Sequence, residues 1–359
     1  MIGILIIPTG IGCEIGGHAG DANPAVKLIA STCDKLIVNP NAVNASDINE
    51  MPDNALYVEG SMIDRFLMRE FYLQEVKSNK ILVVTNPPLK NEVVNSVNAA
   101  RTTIGIEAEI VVLDTPLIMI AKVNVDGSAG GIVEGDVALV KQIQKYTFDA
   151  LAITTQIECL KQVSISYFIN GGVNPWGAVE AIASKRISRA LDKPVAHAPI
   201  ESDWIRDEGY EPPITDSRMS AEMVSVSYLH CILKGLWKAP RITTNEFKGF
   251  PIQAVDIDFL VSPMCYGEPH KTCQNRGIPI IFVEENKTIY KNKFQIKHRD
   301  VIVKNYMEAA GVIQAMKEGI SLDSLQRPLE VVKVYGGLSE AVSKQEAKTI
   351  REKIESPHR

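Results

Sequence analysis

Cys13 stands in the segment PTGIGCEIGGHAGDANP, residues 8–24, directly after the apolar run IGILII. Glycines at 10, 12, 16, 17 and 20 permit positive φ and let backbone N–H groups approach a ligand, and Asn23-Pro24 marks a helix start. Amides of this kind beside a helix N-terminus suit a phosphate or carboxylate, so Gly12, Gly16 and Gly17 are candidate ligand-binding residues. The same dipoles lower a thiol's pKa and make Cys13 a candidate catalytic group, with Glu14 working in the opposite sense. His18 is placed to hydrogen-bond the ligand or to activate that thiol. Asp21 is expected to cap the helix that follows. The pattern is neither a GxGxxG fingerprint at the right distance from a strand nor a GxxxxGKS/T loop, so no named nucleotide site is present. A tight structural turn is the plain alternative for the whole segment.

Four further stretches carry candidate chemistry. NPNAVNASDINE, residues 39–50, offers Asn44 and Asp47 to a polar ligand, although such clusters also make ordinary Asx turns. INGGVNPWG, residues 169–177, repeats the step from glycine loop to helix with Gly171, Gly172 and Asn174, and Trp176 could wall an apolar or planar group. VAHAPIESD, residues 195–203, sets His197 and Glu201 just after a short strand, a common place for acid–base groups. SPMCYGEPHKTCQNRG, residues 262–277, brings Cys265, Glu268, His270 and Cys273 onto one loop. We read it as a substrate-facing loop, with Cys265 catalytic and Glu268 and His270 ligand-binding. Zinc there would need a fourth ligand from elsewhere, and the spacing matches no strong metal signature, so neither metal nor cofactor is assigned.

Those residues need a scaffold, and the apolar pattern supplies one. The runs GILII, DKLIV, ALYVE, KILVVT, EIVVLD, ALAITT, DFLVS and IPIIFVE are nearly continuous in apolar residues, as in strands buried on both faces. Helical spacing fills residues 24–31, 91–104, 135–146, 176–191 and 220–236. Strands alternating with helices predict an α/β fold of mostly parallel sheets with flanking helices, and ligands beyond the carboxyl ends of the strands.

An internal match suggests how that scaffold is divided. LIIPTGIGC (residues 5–13) aligns with LAITTQIEC (residues 151–159), and Gly-Gly, Asn-Pro, Ile-Ala-Ser and Asp-Lys follow in the same order in both halves. KILVVTNP with DFLVSP, and GIEAEIVVLD with GIPIIFVE, continue it loosely. The reading is two similar Rossmann-like lobes related by internal duplication, at 1–125 and 148–300, joined by a glycine-rich connection and helix at 126–147 and followed by C-terminal helices at 301–359. A cleft between them would be the ligand site.

Composition narrows the function classes. The 359 residues are 45% hydrophobic and carry a net charge of −5, ordinary for a soluble protein. No basic run interleaved with aromatics is picked out, so nucleic acid is not expected as a partner, and a small anionic molecule is. The apolar start is too short for a membrane span and lacks the features of a signal peptide, so no membrane partner is expected. The expected location is cytoplasmic, or the plastid stroma in a plant homologue. Six scattered cysteines, none in a CxxC pair, are then thiols. A homo-oligomer is left open.

PTGIGCEIGGHAGDANP followed by NPNAVNASDINEMPDNALYVEGSMIDRF resembles a family of cyanobacterial and plastid proteins catalogued as domain of unknown function 3326. The resemblance runs from Met1 to about Gly337; Cys13 and the glycines match the pattern, whereas His18 and Glu14 depart from it. It implies that the first loop matters and brings no reaction with it. The expected function is an enzyme acting on a small anionic metabolite in an interlobe cleft, a cysteine-dependent isomerase, lyase or hydrolase. The architecture is similar to that of aspartate/glutamate racemases, although their cysteine signatures are absent. The alternative is a non-catalytic nucleotide- or metabolite-binding regulatory protein.

Overall fold

The fold is described from a computed structural model, which covers residues 1–17, 21–43, 51–200, 228–245, 249–291, 293–332 and 335. His18, Asn44, Asp47 and Glu201, all singled out above, lie outside the described residues.

Two parallel sheets form the scaffold. The larger contains β1 (Ile2–Leu5), β2 (Lys35–Val38), β3 (Ala55–Tyr57), β12 (Ile257–Pro263), β13 (Ile280–Val283) and β14 (Val301–Val303), in the order β14-β13-β12-β1-β2-β3. The smaller contains β5 (Lys80–Thr85), β6 (Glu107–Val112), β9 (Ala150–Gln156) and β10 (Val195–Ile200), in the order β10-β9-β5-β6. The antiparallel pairs β4–β11 (Tyr72–Gln74 and Arg241–Thr243) and β7–β8 (Ile118–Val123 and Ala129–Glu134) complete the strands. Ile4, Leu5, Leu36, Ile37, Ile280 and Ile281 are fully buried, as unbroken apolar runs require of strands covered on both faces.

Ten α-helices occur among the described residues, and five matter here: α1 (Asn23–Ala30), α3 (Gly60–Leu67), α7 (Gly177–Leu191), α9 (Glu268–Arg276) and α10 (Tyr306–Lys317). Helix α7 shows how the sequence selects its buried face. Val179, Ala183 and Ile187, spaced by four, pack into the core of the smaller sheet and leave Glu180 at its margin. Helix α3 starts at Glu59, whose carboxylate accepts from the Ser61 and Met62 amides.

Sheet membership does not follow the expected lobes. The chain builds β1–β3 in one sheet, crosses to build β5, β6, β9 and β10 in the other, then returns to the first for β12–β14. The division into 1–125 and 148–300 therefore does not separate the sheets, and the internal duplication is not confirmed. The orders β13-β12-β1-β2 and β6-β5-β9-β10 do run in step under the sequence match. However, β5–β6 and β12–β13 lie in the opposite sheets from those that two self-contained halves require. Parallel pairing joins segments far apart in the chain, and the local apolar pattern does not name the partner.

Met1–Glu318 forms one compact unit and Gly319–Arg359 a second, in which Leu322–Leu325 is a turn of 3-10 helix. Of the C-terminal helices expected, the first is α10, and the charged stretch beyond residue 336 is outside the described residues.

Candidate functional site

The strand orders fix where a ligand crevice would open. In the larger sheet successive strands leave in opposite directions from β1 and β12, and in the smaller from β5 and β9. Carboxyl ends at such points are the usual ligand sites of open α/β sheets.

The opening loop sits at the first of these points, and its polar groups face the chain itself. The Glu14 amide donates to the Lys287 carbonyl, that of Ile15 to Asn286 Oδ1, and that of Gly16 to Asp21 Oδ1 at 2.6 Å. Asp21 thus holds the loop, and α1 starts at Ala22 with no side-chain cap, contrary to the capping role expected of Asp21. Asn41 Nδ2 reaches the Gly16 carbonyl, and Asn286, fully buried, donates to both the Ile15 carbonyl and the Tyr306 hydroxyl. Cys13 is 1% exposed and its thiol donates to the Pro8 carbonyl.

The glycines of this loop serve close packing. At Gly10 (φ +79°) a Cβ would stand 2.9 Å from Ala178 Cβ, and at Gly12 (φ +61°) 2.9 Å from a Val173 methyl. The two glycine loops singled out in the sequence therefore abut, and the first is a joint between the sheets' loops. On the second, Asn174 Oδ1 accepts from the Trp176 and Gly177 amides and closes the start of α7, while Gly171 and Gly172 border open space.

The loop after β12 brings Ser262, Cys265 and His270 together. His270 is 2% exposed; its Nδ1 accepts from the Gly267 amide at 3.1 Å and its Nε2 lies 2.8 Å from Ser262 Oγ. A ring nitrogen that accepts an amide proton carries none of its own, so the neutral ring's proton sits on Nε2 and is donated to Ser262. Burial lowers the His270 pKa to about 4, so the ring is neutral at pH 7. Cys265 Sγ is 3.9 Å from Nε2 and 3.5 Å from Ser262 Oγ, and burial raises its pKa to about 11, which keeps the thiol protonated. In this form His270 cannot take a proton from Cys265. Burial likewise raises Cys273 to about 12. Glu268 is exposed, 3.7 Å from Lys271. No three His, Cys, Asp or Glu side chains among the described residues are placed to hold a metal ion together.

The smaller sheet presents a different arrangement. His197 on β10 and Thr155 on β9 point to the face covered by α7, with Nε2 3.1 Å from Thr155 Oγ1. The other nitrogen, Nδ1, is buried without a hydrogen-bond partner, 3.8 Å from Glu180 Oε1. The His197 side chain is 1% exposed and that of Glu180 23%. A bare Nδ1 lone pair facing a carboxylate is repelled, whereas an Nδ1–H facing it is attracted. The favoured tautomer therefore carries its proton on Nδ1 and accepts from the Thr155 hydroxyl at Nε2. Hydroxyl, imidazole and carboxylate then stand in the order by which a hydroxyl is deprotonated and the resulting imidazolium stabilised.

Of the residues expected to do chemistry, the structure thus sets His197 between Thr155 and Glu180 and buries Cys13 and Cys265 as protein-facing thiols. Thr155 and Glu180 were not singled out: TT at the end of ALAITT reads as strand, and Glu180 as an ordinary helix position. Two consecutive hydroxyls ending an apolar strand were the available signal.

The chain belongs to the family described as protein of unknown function DUF3326, whose model matches residues 2–326. It is 31% identical over 337 residues, 88% of this chain and 91% of the relative, to a protein of Synechococcus sp. (strain ATCC 27144 / PCC 6301 / SAUG 1402/1) described as an uncharacterized lipoprotein. No solved structure matches the chain. No helix among the described residues is long and apolar enough to cross a membrane.

Proposed function

We propose that this protein is an enzyme that moves a proton on a small metabolite, with His197 as the acid–base group. One observation carries the reading: a buried imidazole nitrogen without a partner, aimed at a carboxylate, on a ring whose other nitrogen meets a buried hydroxyl. A purely structural histidine is expected to satisfy both nitrogens when buried. In the relay, Thr155 gives its proton to Nε2 as it takes one from substrate, and the imidazolium is held by Glu180. The partly exposed Glu180 side chain lets the relay exchange protons with water.

The chemistry suits an isomerase, lyase or hydrolase, in which one positioned base and its return of the proton do the main work. The amides of Glu14, Ile15 and Gly16 are taken within the chain, so the reading leaves out the anionic group expected of the substrate. None of the six cysteines is in a disulfide, in keeping with a reducing compartment such as the cytoplasm.

The test is isotope exchange. Wild-type protein is incubated in D2O with pools of small hydroxy, keto and amino acids, and loss of C–H signal is followed by proton NMR. Catalysed wash-in that falls roughly a hundredfold or more in His197→Gln supports the reading. Wash-in that survives that substitution would sink it.

A further inference from the structure

We propose that the strap between β13 and β14 binds an anionic membrane surface. The strap, NKTIYKNKFQIKHR over residues 286–299, contains Lys287, Lys291, Lys293, Lys297 and Arg299 and no Asp or Glu, in a chain whose net charge is −5. All five of those side chains belong to exposed residues, and none enters an ion pair among the described residues.

The fold extends the run into a patch. The strap descends from the carboxyl end of β13 to the amino end of β14 and there meets the last turn of α9, where Lys297 Nζ donates to Asn275 Oδ1 and Arg299 Nη1 to the Gly277 carbonyl. Arg276, next along, donates to the Leu67 carbonyl and lies near Arg69; burial and that second guanidinium both lower its pKa. Of the acids that flank the strap, Asp300 is turned inward, where it accepts from Gln274 Nε2 and the Lys297 and Ile280 amides, and Glu284 and Glu285 are exposed at the other end, beside Lys287. Glu70 is engaged by Arg65. Over Lys291–Arg299 the positive charges stand together with the one flanking carboxylate engaged inward, which favours an external anion, and the local charge decides this, because beyond about 10 Å the net negative charge is screened.

The side chains between the cations choose the kind of anion. Single-stranded nucleic acid asks for exposed rings on which bases stack. Here Phe294 is stacked on Tyr266 at 5.4 Å and tilted against Phe282 at 5.1 Å, and Tyr290 leans on Phe294. What the strap exposes instead is aliphatic: Ile296, followed by Ile302 on β14. Lysines and arginines with interspersed aliphatics suit a headgroup layer, where each basic residue contributes about 1 kcal/mol. Lys297 and Arg299 lie at the amino ends of the strands, whereas Lys287 lies at the carboxyl end, where its carbonyl accepts from the Glu14 amide of the opening loop.

Full-length protein is sedimented with phosphatidylcholine vesicles that either contain or lack phosphatidylglycerol, at low and at high salt. Binding should require phosphatidylglycerol, weaken with salt, fall roughly a hundredfold in Lys291→Gln/Lys293→Gln/Lys297→Gln, at about fivefold per lysine, and persist in the corresponding arginine variant. Circular dichroism checks that both variants fold. Binding to pure phosphatidylcholine alike, no binding to either vesicle, or lysine-dependent binding to DNA or RNA in place of vesicles would each overturn the proposal.

Discussion

His197 and His270 are both buried, the one within β10 and the other in the first turn of the helix after β12, and both place Nε2 against a hydroxyl, at 3.1 and 2.8 Å. They differ in what Nδ1 meets. At His270 it is a backbone amide, which fixes the proton on Nε2 and makes the ring a donor. At His197 it is a carboxylate 3.8 Å away, which draws the proton to Nδ1 and leaves Nε2 as a base. The group behind the ring, one atom removed from the hydroxyl, thus decides whether a histidine–hydroxyl pair is a fastener or a relay.

The largest effect should separate the two in stability. His270→Ala removes two hydrogen bonds and a ring stacked on Phe282 with its plane only 8° away, and should cost on the order of 4 kcal/mol in urea unfolding. His197→Gln should cost about 1 kcal/mol. Equal losses would erase the distinction.

Acid sharpens the same contrast. The folded-state pKa of His270, about 4, lies below its ordinary 6.5, so between these values the unfolded chain binds more protons. The stabilisation is present above pH 6.5 and lost as pH falls toward 4. Relative to a His270→Gln variant, the wild-type chain should lose roughly 3 kcal/mol across that window. A pH dependence shared by the variant would remove His270 as its source.

The tautomers themselves are a smaller effect, readable by nitrogen NMR. His197 should carry its proton on Nδ1 and His270 on Nε2, and Glu180→Gln should weaken the first preference by about 1 kcal/mol without touching the second. Matching tautomers in the wild-type chain would break the comparison at its root.

The smallest concerns the thiols. Cys159 is partly exposed, whereas Cys13 and Cys265 are buried. Iodoacetamide on native protein should reach Cys159 first, and peptide mapping that finds Cys13 ahead would revive it as the reactive group.

The strands were legible because burial on both faces leaves an unbroken apolar run, and DKLIV, KILVVT, ALAITT and IPIIFVE each became one. Their partners were not, since β1 pairs with β12 some 250 residues later and no local pattern records that. Two partners of the opening loop's amides were not legible for the same reason: Asn286 and Lys287 lie some 270 residues later in the sequence. His197 was expected just after a short strand and lies within β10, since the strand runs on to Ile200. The base role proposed for it depends on Glu180, which only packing of α7 on the sheet brings near. The basic strap stands in the sequence as NKTIYKNKFQIKHR, yet no basic run was picked out, because a whole-chain net charge averages it away.

The interleaved sheets also set an order of events during synthesis. β1, β2 and β3 leave the ribosome first, yet β1 has no neighbour on its β12 side until residue 257 has been made. Meanwhile the strands of the smaller sheet, β5, β6, β9 and β10, are complete at residue 200, and the helix Tyr228–Trp237 that covers one of its faces follows. The smaller sheet can therefore close while the larger one still presents β1 as a raw edge, a template for pairing with other chains. A nascent chain stalled between residues 237 and 257 is half built in this specific sense, and it is the species on which a chaperone would act.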